Sequence, residues 1–375
     1  MHKPTTGIAA ILLLAACGGA SEPGAAAPAG DPPFKTTVIA DFDSPWAMTF
    51  LPDRRMLVTE KDGRMLLVSA DGKAAAALGG IPAVDSASQG GLMDVVLHPK
   101  FAENHLVYFS FSEPRGGGKG LALARGRLVD GADPRLDAVS VIFRASPDVG
   151  GGGHYSGRIA FAPDGHLFFT SGERQKFDPA QDPQATLGKV LRLNDDGTPA
   201  ADNPLAAKGF APAIWSYGHR NLLGLAFDPA GNLWAHEMGP RHGDELNLIL
   251  PGRNYGYPIV SNGDHYDGRI IPDHDTRPDL EAPKLFWNPA ISPAGLMIYG
   301  GDLFPQWKGS AFIGAMNTAG LVRVALDGVS ARKADQWDMA GQRIREVEQG
   351  PDGAIWLLED GQRGSQGRLI RLMPR

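Results

Sequence analysis

Residues 158–172 read RIAFAPDGHLFFTSG, an apolar alternating run, a Pro-Asp-Gly turn and a second alternating run. Alternation puts successive side chains on opposite faces, and Asp-Gly between two such runs is a strong hairpin signal. The same cadence recurs outward in both directions. Upstream it stands at Phe50-Leu51-Pro52-Asp53 followed by MLVTEK, Asp62-Gly63 and MLLVS, and at VVLHPKFAENHLVYFSFS (95–112). Downstream it stands at GLAFDPAGNLWAHEMG (224–239), more weakly at GGDLFPQWKGSAFIGAM (300–316), and again at EVEQGPDGAIWLLED (346–360). These six units are spaced by roughly 45 to 75 residues, as four-stranded propeller blades are. The expected fold is therefore all-β, a six-bladed β-propeller, with long loops on some blades and the ring closed by pairing Thr36–Ala40 with the last blade. A β-sandwich with coincidental turns is the alternative, and it would be unusually long.

The remaining sequence sets the compartment. Met1-His2-Lys3 is a short positive start, and Ile8–Leu14 is an apolar run too short to span a bilayer. Leu14-Ala15-Ala16-Cys17 ends it as an export signal ends, and resembles the lipobox of bacterial lipoproteins, whose cysteine is acylated. The plain alternative is a cleaved signal with an incidental cysteine. Cys17 is the only cysteine, so no disulfide, thiolate nucleophile or Cys-ligated metal is available. Gly18–Pro33 is Gly, Ala, Ser and Pro with two acidic residues and reads as a flexible tether. The expected division is 1–16 signal peptide, 17–33 lipid-anchored tether and 34–375 propeller. Membrane attachment is expected only through the lipid, on the periplasmic side, and Gly18 after the cysteine implies the outer membrane. A net charge of −6 argues against nucleic acid.

Several patterns carry nothing. The glycine runs at 116–120 and 150–153 open no helix after a strand, as a phosphate cradle requires. His236 and His242 lack zincin spacing, and Asp264, Asp267, Asp273 and Asp275 lack calcium-loop spacing. Four segments are different, because rare polar combinations sit at blade turns. They are GHYSGR at 153–158, YGHRN at 217–221, HEMGPRHGDE at 236–245, and Arg343-Ile344-Arg345-Glu346. Alternate positions would put the last pair of guanidiniums on one strand face.

In these segments the chain resembles the PQQ-dependent soluble aldose sugar dehydrogenases of the glucose/sorbosone dehydrogenase family, over nearly everything after the tether. The GHRN, E-x-G-P-x-x-x-D-E and R-x-R segments occur in the family's order. The resemblance implies oxidation of an aldose sugar at C1 to a lactone, with pyrroloquinoline quinone (PQQ) and Ca²⁺ as cofactors. It places the general base at His154, with His219 the next candidate; histidine titrates near neutrality, which suits that proton. Arg220 would stabilise the developing oxyanion. Arg343 and Arg345 would grip the cofactor's carboxylates, with Asn221 a further contact. Gly239 and Pro240 match backbone ligands of one calcium, and Glu245 and the Tyr255 carbonyl match a second, structural one. Gln89 and Tyr266 map to sugar contacts. Trp287 would lie against the cofactor or pack in the core. Neither the preferred sugar nor the electron acceptor is implied.

Three departures stand out. The family's cofactor-facing lysine is replaced in Gly314-Ala315-Met316-Asn317, so Asn317 would contact the cofactor without charge. Gly153 stands where glucose dehydrogenases carry an aspartate beside the base, and Met238 replaces a polar residue near the calcium. Two other functions compete: a catalytically inactive binding propeller, for which Asn317 is the best argument, and a calcium-dependent lactonase, which relies on several carboxylates around one metal.

Overall fold

The structure is a computed structural model that describes residues 31–116, 118–318 and 320–375. The expected signal peptide, Cys17 and most of the expected tether lie outside the described residues. The chain begins with strand β1 (Phe34–Asp41), then lays down blade after blade. Blade 1 is β2 (Pro45–Phe50), β3 (Met56–Glu60), β4 (Met65–Val68) and β5 (Ala75–Ala77). Blade 2 is β6 (Leu92–Leu97), β7 (Leu106–Arg115), β8 (Gly118–Val129) and β9 (Arg135–Arg144). Blade 3 is β10 (Ser156–Phe161), β11 (Leu167–Ser171), β12 (Lys189–Leu193) and β13 (Ile214–Tyr217). Blade 4 is β14 (Leu222–Phe227), β15 (Leu233–Glu237), β16 (Asp244–Leu248) and β17 (Leu285–Trp287). Blade 5 is β18 (Pro293–Ile298), β19 (Ala311–Ala315), β20 (Gly320–Asp327) and β21 (Ser330–Asp338). Blade 6 is β22 (Ile344–Gln349), β23 (Ile355–Glu359) and β24 (Arg368–Pro374), completed by β1.

The six four-stranded antiparallel sheets confirm the propeller, and each repeated unit falls in a different blade and includes its second strand. β1 closes the ring by pairing with β24 from Phe34↔Pro374 to Asp41↔Arg368, as expected of Thr36–Ala40. Tying the first strand to the last blade leaves the ring no free end to open. The second strands β3, β11, β15, β19 and β23 are buried at every residue. Flanked by neighbouring blades on both faces, they read as apolar runs rather than clean alternation, as doubly covered strands do. Among the described residues no helix is long and apolar enough to cross a membrane.

The turns of the cadence share one geometry. In blade 3 the Ala162 amide donates to the His166 carbonyl and the Gly165 amide to the Ala162 carbonyl. Gly165 has φ +91°, as Gly231 (+87°) and Gly353 (+80°) do in blades 4 and 6. Blade 1 puts Arg54 at the same point, with φ 74°.

A second regularity positions the site. The first strand of every blade breaks register with the second near its start: between Pro45 and Ala47, Leu92 and Val95, Ser156 and Ile159, Leu222 and Gly224, Ala294 and Leu296, and Ile344 and Glu346. A bulge leaves an unpaired residue and re-aims its side chain. Here the re-aimed residues stand around the propeller axis.

Candidate active site

The ends of the six first strands enclose a cavity of about 430 Å³, in the range of small-molecule sites. Its floor is made by bulge residues: Trp46, Met93, Leu223 and Arg345 all line it. Arg345 is thus delivered by a bulge between Ile344 and Glu346, not by simple alternation with Arg343. Beneath the floor Arg158 is buried against the Trp46 ring, 4.3 Å from its centroid, and pairs with Asp94 at 3.1 Å and with Glu346. A buried cation needs such compensation.

His154 is buried beside the blade 3 side of the cavity; it does not itself line it, but its neighbours Gln89 and Tyr155 do. Its amide donates to Gln89 Oε1 at 2.8 Å, and its ring Nδ1 contacts Glu173 Oε1. Glu173, absent from the sequence expectations, is fully buried and accepts from the backbone amides of Lys176 and Phe177 through Oε2. An ionised carboxylate accepts only, so Nδ1 carries the proton and Nε2 is left with its lone pair. The histidine loop is tightly bound to the end of β11. The Gly172 amide donates to the Tyr155 carbonyl, and the Arg174 amide to that of His154. A Cβ at Gly172 would stand 2.1 Å from the His154 carbonyl, so only glycine permits this approach. His154 (φ 49°), Ser156 (62°), Arg174 (61°), Gln175 (59°) and Phe177 (62°) all adopt left-handed backbone, a cost that collects at functional sites. Burial, and next the Arg220 charge, hold the His154 imidazolium below its ordinary range despite Glu173. That lowering favours the neutral ring, the state a base requires.

The HEMGPRHGDE segment folds around Arg220. Glu237 Oε2 accepts from the Arg220 amide at 2.6 Å, and the guanidinium donates through Nη1 to the Met238 carbonyl at 2.8 Å. Arg220 Nε is buried without a partner. Asp244 ties the turn down, accepting from the amides of Gly239 (2.9 Å), Ile291 and Ser292 (2.7 Å each). A Cβ at Gly239 would meet the His242 carbonyl at 2.2 Å. Beside this turn lies a cavity of about 10 Å³, room for one water-sized body. Gly239, Pro240, Glu245 and Tyr255, the four expected calcium residues, all line it, with Glu237. Asn247 Nδ2 bridges the two carboxylates, 3.1 Å from Glu237 and 3.3 Å from Glu245. Burial, then the Glu237 charge, pushes Glu245 well above its ordinary range. Two buried carboxylates with backbone oxygens nearby suit a hard cation. Among the described residues no three His, Cys, Asp or Glu side chains converge on a metal position, so carbonyls would have to complete the shell.

Blades 1 and 6 form a cationic wall. The cavity lining carries Lys61, Arg343, Arg345 and Arg363 against a single carboxylate, Asp360. Asp360 receives Nε of both Arg343 and Arg345 at 2.8 Å. Burial alone would raise it, but the two arginines hold it below the usual carboxylate range.

The other expectations sort clearly. Asn221 and Gln89 line the cavity, and Tyr266, 73% exposed, stands at its mouth with its ring 5.9 Å from the Arg220 guanidinium. Asn317 does not line it: its side chain is exposed and donates to the Ala290 carbonyl at 3.1 Å, while Met316 takes the lining position. Trp287 is core, buried among Trp234, Leu285 and Ile291. His219 is fully buried, with Nδ1 3.0 Å from Glu237 and Nε2 2.9 Å from Ser216 Oγ. Both nitrogens are engaged, which removes it as an alternative base.

The profile of the Glucose / Sorbosone dehydrogenase family matches residues 42–371. The aldose sugar dehydrogenase YliI of Escherichia coli (strain K12) is 38% identical over 340 residues, covering 89% of this chain and 91% of that protein. The crystal structure of the soluble aldose sugar dehydrogenase of E. coli in the apo-form superposes with a TM-score of 0.86 at 36% identity, covering 91% of this chain and 100% of that one. The PQQ-bound form of the aldose sugar dehydrogenase of Streptomyces coelicolor gives 0.75 at 29% identity, covering 93% and 100%. This chain is an oxidoreductase and belongs to the glucose/sorbosone dehydrogenase family.

Proposed function

We propose that this chain oxidises aldose sugars at C1 to lactones, with PQQ in the 430 Å³ cavity and Ca²⁺ in the small cavity beside it. One observation carries the reading: a buried histidine held through Nδ1 by Glu173, its Nε2 without a partner among the described residues, stands beside a cavity whose lining has four cations and one carboxylate. The three excess positive charges match the three carboxylates of PQQ. Arg343, Arg345 and Asn221 would hold PQQ, the Gly239 and Pro240 carbonyls would hold one calcium beside it, and Glu245 with the Tyr255 carbonyl would hold a second, structural one, with Glu237 close by. Bound there, the quinone supplies the two-electron acceptor for the C1 hydride, and the cation supplies Lewis acidity.

The chain's own residues do the rest. His154 takes the C1 hydroxyl proton at Nε2 while Glu173 fixes its ring, leaving the C1–O bond to become the lactone carbonyl. Arg220, fastened through Met238 and Glu237, presents positive charge on the same side. Gln89 and Tyr266 face the sugar. The relatives' dehydrogenase names favour this over a lactonase or an inactive binder. We also place the protein on the periplasmic side of the outer membrane, anchored by lipid on Cys17.

The test is reconstitution. Chelated protein is given PQQ and Ca²⁺, and dye reduction is followed with a panel of aldoses. His154→Ala should keep PQQ and lose about 10²–10⁴-fold in kcat. A mutant that raises KM while kcat and its pH limb stay unchanged would move the base elsewhere.

A further inference from the structure

Lys61 directly follows β3, and its backbone is pinned on both sides. Its amide donates to the Ser44 carbonyl at 3.0 Å, and its carbonyl accepts from the Leu92 amide at 3.2 Å. The side chain passes over Gly91, where a Cβ would stand 2.6 Å from Lys61 Cγ, and it reaches the cavity lining. There the ammonium makes one hydrogen bond among the described residues, to the Ser88 carbonyl at 2.6 Å. Two of its three donors remain.

Its electrostatic setting is unfavourable as it stands. Burial, then the neighbouring Arg345 charge, pull Lys61 below its ordinary range, and Asp360 only partly opposes them. Asp360 is already shared by Arg343 and Arg345. A half-buried cation beside another, with the only carboxylate of the lining spent elsewhere, lacks the compensation that buried charges normally have. An anion in the cavity supplies it.

We propose that Lys61 is a cofactor-positioning residue whose ammonium pairs with a carboxylate of the bound quinone, alongside Arg343 and Arg345. This rests on the PQQ reading above. It gives the cavity a lysine contact from blade 1, where position 317 on blade 5 offers an amide turned to the Ala290 carbonyl.

The experiment measures binding rather than turnover. Chelated parent, Lys61→Gln and Lys61→Arg are titrated with PQQ in excess Ca²⁺, following quenching of tryptophan fluorescence, and then with the PQQ trimethyl ester. Lys61→Gln should raise Kd for PQQ about ten- to a hundred-fold, the worth of one charge-assisted hydrogen bond. Lys61→Arg should recover most of that affinity, and all three proteins should bind the ester alike. Apoprotein melting should be unchanged in Lys61→Gln. If the parent binds PQQ and Lys61→Gln binds it equally well, Lys61 has no such role, and an equal loss toward the ester would likewise overturn it. A parent that fails to bind PQQ would overturn the cofactor assignment itself, and this one with it.

Discussion

Glu173→Gln tests the catalytic reading most sharply, because the two carboxylate oxygens have different duties. Oε1 faces His154 Nδ1, while Oε2 accepts from the amides of Lys176 and Phe177, the latter at 2.7 Å. Glutamine has one oxygen. If it stays on the two amides, its NH₂ faces Nδ1, which must then become an acceptor, and the ring proton moves to Nε2. That tautomer cannot take a proton from the sugar. If instead the oxygen stays on Nδ1, the half-buried Phe177 amide loses its acceptor and the Lys176 amide keeps only the Glu173 carbonyl at 3.2 Å, at a cost of about 1–3 kcal/mol. That difference leaves the productive form at about one part in 5 to one in 150. Dye reduction by PQQ-loaded protein should therefore show kcat reduced about 5- to 150-fold, with PQQ affinity unchanged. Glu173→Asp, which keeps two acceptor oxygens, should lose far less. The sign of the pH effect follows from the same contacts. The base must be neutral, and burial and Arg220 lower its pKa, so the acid limb of the parent's kcat should lie below the ordinary histidine value of about 6.5. Glu173 opposes that lowering, so its neutralisation should move any residual limb further down. A Glu173→Gln protein with parental kcat and an unmoved limb would refute the dyad.

The cation is tested by melting: at a Ca²⁺ concentration about a hundredfold over Kd the apoprotein should gain about 2.7 kcal/mol. Glu245→Gln should shrink that gain, and identical melting in chelator and in Ca²⁺ would empty the small cavity of its proposed ion. Arg54 occupies a left-handed turn position that is glycine at residues 165, 231 and 353. The strain of about 1–2 kcal/mol exceeds the extra chain entropy of glycine, about 0.5–1 kcal/mol, so Arg54→Gly should raise the melting temperature slightly; a fall would show that this turn is not strained. Cys17→Ser should release the protein into the soluble periplasmic fraction with its fold intact, whereas fractionation identical to the parent's would end the lipoprotein reading.

What the sequence made legible is what local spacing encodes. Asp-Gly and Pro-Asp turns between alternating runs announced each blade, because turn chemistry is carried by the turn residues themselves. The strand at 36–40 precedes the first repeated unit, where a ring-closing strand is expected, and it does pair with the last blade. The site was harder, since its floor is built by bulges. One extra residue in a first strand leaves no mark on composition or period, yet it decides that Trp46, Met93 and Leu223 look into the cavity. The alternation argument for Arg343 and Arg345 reached the right residues by a rule that the bulge at Arg345 suspends. Glu173 lies 19 residues from His154, beyond any motif window. The turn of the β10–β11 hairpin pairs Phe161 with Leu167, and that register carried outward would set His154 opposite Arg174. The bulge between Ser156 and Ile159 shifts the pairing to Ser156 with Ser171, and so brings Glu173 to His154 just beyond the strand ends. Asn317 failed for the complementary reason. Adjacent residues at a strand end face different ways, so a one-residue step from Met316 separates a cavity wall from an exposed amide. The chemistry of this site thus depends on register, which each turn sets at one end of its hairpin and each bulge then shifts before the strand reaches the cavity.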